Sequence, residues 1–284
     1  MVMKCFNCNV ILFDWVLYCP YCGARQPVKP LERKYIVFDK THYETLRYSY
    51  TFIKIAEELG YKIRVLEGEW SKHYFEDVNL LTNAAGVILG GIEKWETMSR
   101  RELLNLITYV YLGGVIFITP ASLLLLEESY RGLNSFVASF GIIYTDIKII
   151  DREHHEGRHE DHVIIHDFAT HPLTENVSTV CFLDYGGVSI KVLDDSVKVL
   201  AITDYDAYPP GQPVLVLASR GNGWLIGFSC STTFQEDKYD NFKLARNILK
   251  FMMNPVESGS PRVDIPPPPP PPPPPSLKCI KIYS

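Results

Sequence analysis

No apolar run in the 284-residue chain reaches the roughly 18 residues that a membrane helix needs. The longest, at positions 113–119 and 123–126, are separated by Pro120 and read as a buried strand followed by a helix. Positive charge is also scarce. With 28 Lys and Arg against 33 Asp and Glu, the formal net charge is -5, and metal-bound thiolates would make it more negative. That balance argues against a broad nucleic-acid-binding surface. There is no G-x-x-x-x-G-K-[ST] phosphate loop and no H-E-x-x-H pattern. No histidine follows His171, which removes a late catalytic imidazole. With no signal peptide evident, the expectation is a soluble cytoplasmic protein with reduced thiols.

Against these absences stand Cys5, Cys8, Cys19 and Cys22, two C-x-x-C knuckles ten residues apart. Each knuckle brings two thiolates to one ion from a tight turn, and Gly23 suits the backbone that turns amides towards sulfur. The reading is a zinc ribbon over residues 1–26 holding one structural zinc ion, the metal standing in for a core too small to form alone. A rubredoxin-like iron site uses similar knuckles, and two disulfides are the covalent alternative.

Gln26-Pro27-Val28-Lys29-Pro30 opens a stiff linker, residues 27–33, before an α/β body over 34–254. In its first half, strands at 35–38, 62–66, 86–89 (closed by Gly90-Gly91) and 115–119 alternate with helices at 44–59 and 99–112. That alternation implies right-handed βαβ units and a parallel sheet covered on both faces. A further helix is expected at 134–140, capped by Gly141. In the second half, short strands at 163–165, 180–183, 188–193, 197–202, 214–218 and 224–228 are separated by hairpin-type turns, so antiparallel strands extend the sheet. A closing helix at 241–253 follows Asp240 as N-cap. Residues 255–284, with ten consecutive prolines at 266–275, read as a disordered polyproline tail forming a rod of roughly 30 Å.

In order, the body carries Tyr35-Ile-Val-Phe-Asp39, Ala85-Gly-Val-Ile-Leu-Gly-Gly91, Gly113-Gly-Val-Ile-Phe-Ile118, Phe140-Gly141-Ile142, His171-Pro-Leu-Thr-Glu175, Gly221-Asn-Gly-Trp-Leu-Ile226 and Asp240-Asn241. This series resembles the class I glutamine amidotransferase-like superfamily, in the branch with GIFT-type and trehalose-utilisation-like domains and prokaryotic relatives. The resemblance covers about 34–254 and implies a flavodoxin-like three-layer α/β sandwich, here with a mixed sheet. It also implies a cysteine nucleophile on an elbow after a central strand, with a histidine and an acid late in the domain. The strand at 115–119 runs instead into Pro120-Ala121-Ser122. Cys230 follows a strand but has no histidine nearby in sequence, and Cys181 reads as a small core hydrophobe. No catalytic residue is therefore assigned, and glutamine hydrolysis is not expected.

Two further groups are singled out. Asp39, Thr41, His42, Gly90, Gly91, Thr119, Ser229 and Ser231 fall at strand ends, where open α/β folds bind small molecules, although glycine turns and helix caps are the commoner role of such residues when no phosphate loop accompanies them. His154, His155, His159, His162 and His166, interleaved with acids from Asp151 to Asp167, could hold a second metal or form a solvated, pH-sensitive loop. His171-Pro172 is read as a turn start.

The leading functional reading is a non-catalytic binding or scaffold protein that meets a protein partner through the ribbon or the polyproline tail. The alternatives are a metal-assisted hydrolase using the loop 151–171, and nucleic-acid association through the ribbon, where only Lys4 and Arg25 supply positive charge.

Overall fold

A computed structural model describes residues 2–5, 7–13, 19, 21–22, 24, 31–42, 47–68, 72–92, 98–120, 127–183 and 186–255. The linker up to Pro30 and the tail from Val256, with its proline run, lie outside the described residues. The chain divides into two compact units, one containing Met1–Lys29 and the other Pro30–Arg262.

In the larger unit the short apolar runs become β3 (Tyr35–Asp39), β4 (Ile63–Leu66), β5 (Ala84–Ile92) and β6 (Val115–Pro120), all parallel. The sheet continues through β14 (Gly223–Phe228), parallel to β6, and then antiparallel through β13 (Pro213–Arg220), β12 (Lys198–Ile202) and β9 (Asp167–Phe168). The order is β4-β3-β5-β6-β14-β13-β12-β9. From β3 the chain crosses outward to β4 and later returns on the other side as β5, so a topological switch point lies at the ends of β3 and β5.

Period-two alternation divides the core. Ile36, Phe38, Ile88, Phe117, Ile226 and Phe228 pack with Phe52, Ile55 and Ala56 of α1 (Arg47–Glu58) and with Leu244, Ile248 and Met252. The last three lie on the closing helix, Asn241–Met253. Val37, Val87, Leu89, Ile116, Ile118 and Leu225 face the other way. They meet Leu106, Tyr109 and Val110 of the helix Arg100–Tyr111, and Leu133, Phe136 and Val137 of the helix Glu127–Val137. The result is the expected three-layer α/β sandwich with a mixed sheet.

Several local expectations shift. Gly90 and Gly91 do not close β5 but lie within it, and the register slips between Gly90 and Ile92. Gly91 has φ +63°, so this bulge takes the backbone region that glycine enters without a Cβ clash. The helix expected from Asn134 starts a turn and more earlier, at Glu127, and closes in a 3-10 turn at Ala138–Phe140 before Gly141 at φ +82°. The strands expected at 163–165, 180–183 and 188–193 do not extend the main sheet: β8 (Ile164–Ile165) pairs antiparallel with β10 (Val180–Cys181), and β11 (Val188–Val192) pairs antiparallel with an unanticipated strand, β7 (Ile142–Lys148), which with it covers one face of the sheet. Asp240 stands before the closing helix without a side-chain cap. Its carboxylate instead accepts from Ser178 N (2.8 Å) and Oγ (2.9 Å).

Candidate functional site

The N-terminal unit is built on β1 (Val2–Lys4) paired antiparallel with β2 (Ile11–Phe13). Its two knuckles repeat one backbone bond, since Cys5 N donates to Val10 O (2.8 Å) and Cys19 N to Ala24 O (2.9 Å), each reaching five residues on. Asn9, at φ +59°, makes the tight turn behind the first knuckle, its N–H reaching Cys5 O at 2.9 Å. The four sulfurs lie within 4.8 Å of one another, with Cys5–Cys22 at 3.6 Å and Cys8–Cys19 at 3.5 Å. Zinc–sulfur bonds of roughly 2.3 Å put the edge of a tetrahedron at about 3.8 Å, so the donor set fits one zinc ion and not a disulfide pair. None of the four is in a disulfide. Burial opposes ionisation of Cys5, but the Cys8 and Asn7 amides, 3.5 and 3.4 Å from its sulfur, draw the thiol down to about 6. At Cys8 the Val10 backbone favours the thiolate, and burial with the sulfurs of Cys19, Cys22 and Cys5 outweighs it, pushing the thiol up to about 12. Gly23 lies outside the described residues.

The strand-end residues of the body are buried, and two groups of them are hydrogen-bonded within themselves. Asp39, at the end of β3, accepts from Thr41 N (2.9 Å) and Thr41 Oγ1 (2.6 Å), and its other oxygen lies 2.8 Å from His42 Nδ1. Burial pulls the His42 imidazolium down, but the hydrogen bond and charge of Asp39, with the charge of Glu102, more than reverse this and raise it. Its Nε2 is buried without a partner. Across the switch point, Thr119 Oγ1 accepts from Gly91 N (3.0 Å), tying the end of β6 to the bulge of β5. Ser229 donates its N–H to Val214 O (2.9 Å) while its hydroxyl is buried and unpartnered, and Ser231 leads into the 3-10 turn Thr232–Gln235. Thus Asp39, Thr41, His42, Gly90, Gly91, Thr119, Ser229 and Ser231 are all buried.

Glu102, which the sequence reading passed over, is fully buried beneath this region. It closes a capping box with Ser99 and accepts from Phe75 N (3.2 Å) and His73 Nδ1 (2.9 Å). The spacing Ser99-x-x-Glu102 before an apolar run was the available signal.

The histidines of 151–171 separate into distinct groups. His154 joins Asp151, Asp204 and Asp206, whereas His159 and His162 stack at 4.6 Å beside Asp161. His155 pairs in a bridge with Val163, and His166 packs edge-on against His154 at 5.8 Å. His171 Nδ1 accepts from Leu173 N (3.1 Å), capping a 3-10 turn as expected. The body thiols are not activated. Burial raises Cys181 to about 12 and raises Cys230 as well, and neither is bonded to an imidazole among the described residues. No helix among the described residues is long and apolar enough to cross a membrane.

No protein-family model matches the chain, and no curated protein matches it. Solved structures share its fold. The mmIFT52 N-terminal domain aligns with TM-score 0.62 at 17% identity, covering 77% of this chain and 97% of that one. Cytoplasmic Protein STM1381 from Salmonella typhimurium LT2 aligns with TM-score 0.52 at 13% identity, covering 76% and 98%. Cytoplasmic Protein STM3548 from Salmonella typhimurium aligns with TM-score 0.51 at 14% identity, covering 76% and 98%. At these identities the likeness is one of fold, and it spans nearly the whole of each neighbour.

Proposed function

We propose that this chain is a non-catalytic binding or scaffold protein: a structural zinc ribbon joined to an amidotransferase-like domain that no longer carries a cysteine–histidine pair. The observation that carries this reading is at the strand ends. β6, the strand matched to the family's nucleophile-bearing strand, closes on Pro120, while Cys181 and Cys230 are buried thiols held protonated by their surroundings. A nucleophile needs an accessible thiolate and an adjacent base. Cys230 instead bonds Thr232 Oγ1 at 3.1 Å, an arrangement that suits packing.

The assignment to the GIFT-type branch rests on the ordered motifs, and the mmIFT52 N-terminal domain supports its fold. A cytoplasmic setting, which the names of the two Salmonella neighbours carry, would keep the ribbon thiols reduced and able to bind metal. The ribbon and the proline-rich tail are then the parts offered to a protein partner.

The test is chemical. Full-length protein incubated with glutamine should release no ammonia, and a glutamine-analogue electrophile should leave Cys181 and Cys230 unlabelled by mass spectrometry. Selective labelling of Cys230 accompanied by turnover would replace this reading with an enzymatic one.

A further inference from the structure

The geometry points to a second metal site, independent of the cysteine ribbon, in which Asp151, His154, Asp204 and Asp206 hold one divalent first-row transition ion. The four side chains each present a donor atom, and these atoms all lie within 4.8 Å of one another. His154 Nδ1 stands 3.4 Å from Asp204 Oδ2, 3.5 Å from Asp206 Oδ2 and 3.9 Å from Asp151 Oδ2.

These separations decide between two accounts of the cluster. If a protonated His154 simply paired with the carboxylates, charge-assisted hydrogen bonds of about 2.7–2.9 Å would be expected. All three distances are longer. Metal–ligand bonds of roughly 2.1 Å place neighbouring tetrahedral donors about 3.4 Å apart, close to the two shorter values. Four ligands of one imidazole and three carboxylates suit Zn²⁺, Co²⁺ or Mn²⁺ better than a soft, thiolate-seeking ion.

A second observation singles out this cluster from ordinary surface acids. Asp151 is 1% exposed, and its Oδ2, which faces His154, has no hydrogen-bond partner. Its other oxygen is committed, accepting from Glu153 N and His154 N at 2.8 Å each. A buried carboxylate oxygen without a donor costs free energy unless a cation meets it. Among the described residues no Lys or Arg nitrogen lies within 4.0 Å of Asp151, Asp204 or Asp206, and the His154 imidazole is the nitrogen group that does. The two chain segments are held in place independently of any ion, by reciprocal backbone bonds between Ile150 and Tyr208 of 2.9 and 2.8 Å. His154 and Asp206 are about half exposed, leaving the ion a route in and a position open to water or a ligand.

Cobalt distinguishes this site from the ribbon, because thiolate ligands add a sulfur-to-cobalt charge-transfer band that oxygen and nitrogen ligands lack. Full-length protein carrying a single zinc equivalent, in the ribbon, should take up one Co²⁺ per chain and develop visible d–d absorption without that band. Asp204→Asn and Asp206→Asn, each folded by circular dichroism, should bind Co²⁺ at least tenfold more weakly, and exposed Asp195→Asn should bind like wild type. The proposal is overturned if folded wild-type protein binds no Co²⁺, if the bound ion shows the thiolate band, or if the Asp204→Asn/Asp206→Asn double variant binds equally well. Because Asp206 lies on a half-exposed loop, its substitution alone keeps the test open even if a buried variant misfolds.

Discussion

In the N-terminal unit the described apolar core comes down to Cys5 and Cys19 with Val10 against them, whereas the α/β body buries a layer of side chains on each face of an eight-stranded sheet. The residues buried first in the small unit are the same ones that offer metal ligands. In the body the buried cysteines, Cys181 and Cys230, serve as small apolar side chains with raised thiol pKa values. One residue type thus stabilises in two ways, and the number of strands around it decides which. A unit of under thirty residues gains too little from burial to offset its chain entropy, a difference that bonds from the four cysteines to a metal would supply.

The sharpest way to break this comparison is to remove one ligand. Cys19→Ser should release the metal and unfold the N-terminal unit, with zinc content falling from one to near zero per chain and the body's thermal transition unmoved. Elemental analysis and calorimetry check both halves, and retained one-to-one zinc would show that the four cysteines do not share an ion.

Next in size is a change confined to the body. A Cβ on Gly223 would lie 2.2 Å from the backbone oxygens of Gly114 and Val110, where helix and strand ends meet with no flexible side chain to yield. Gly223→Ala should cost about 3 kcal/mol and lower the body's Tm by roughly 6–12 °C. Zinc content should not change. A shift under two degrees by calorimetry would mean the backbone there gives way more easily than close packing implies.

The smallest effect sharpens the body's electrostatics. Burial pushes the Asp240 carboxyl up, but Lys243 and the Ser178 and Thr179 donors outweigh it and hold the group at about 2. A carboxyl depressed in the folded state stabilises fully above its unfolded value of about 3.9, and the contribution fades as pH falls towards the folded value. Allowing for solvent screening, Asp240→Asn should cost about 1 kcal/mol at neutral pH, with the gap closing as pH is lowered to about 2. Denaturant titrations at several pH values measure it, and a pH-independent gap would assign the loss to packing.

The parts of the fold that were legible are those set by neighbours in sequence. The unbroken apolar run Ile36, Val37 and Phe38 marks a strand covered on both faces, and Ser99 with Glu102 marks a helix start. β7 escaped notice because Ile142–Lys148 mixes buried Ile142 and Tyr144 with exposed Asp146 and Ile147, a pattern shaped by its pairing with β11. Gly90-Gly91 looked like a strand end, and only the neighbouring register with β6 turns it into a bulge.

What the sequence determined by itself is therefore short-range: two C-x-x-C knuckles whose spacing already suits one ion, the periodicities of strands and helices, and Asp39 close enough to His42 to bond it. The tertiary structure decided everything that needed distant segments to meet. It brought Asp204 and Asp206 some fifty residues along the chain to His154, buried the strand-end polar residues instead of opening them, and set Cys230 against Leu183 with no imidazole bonded to it among the described residues. Local spacing fixes which donors can share a turn, but which carboxylate meets which histidine depends on sheet order, and that order is settled by the burial of the whole core.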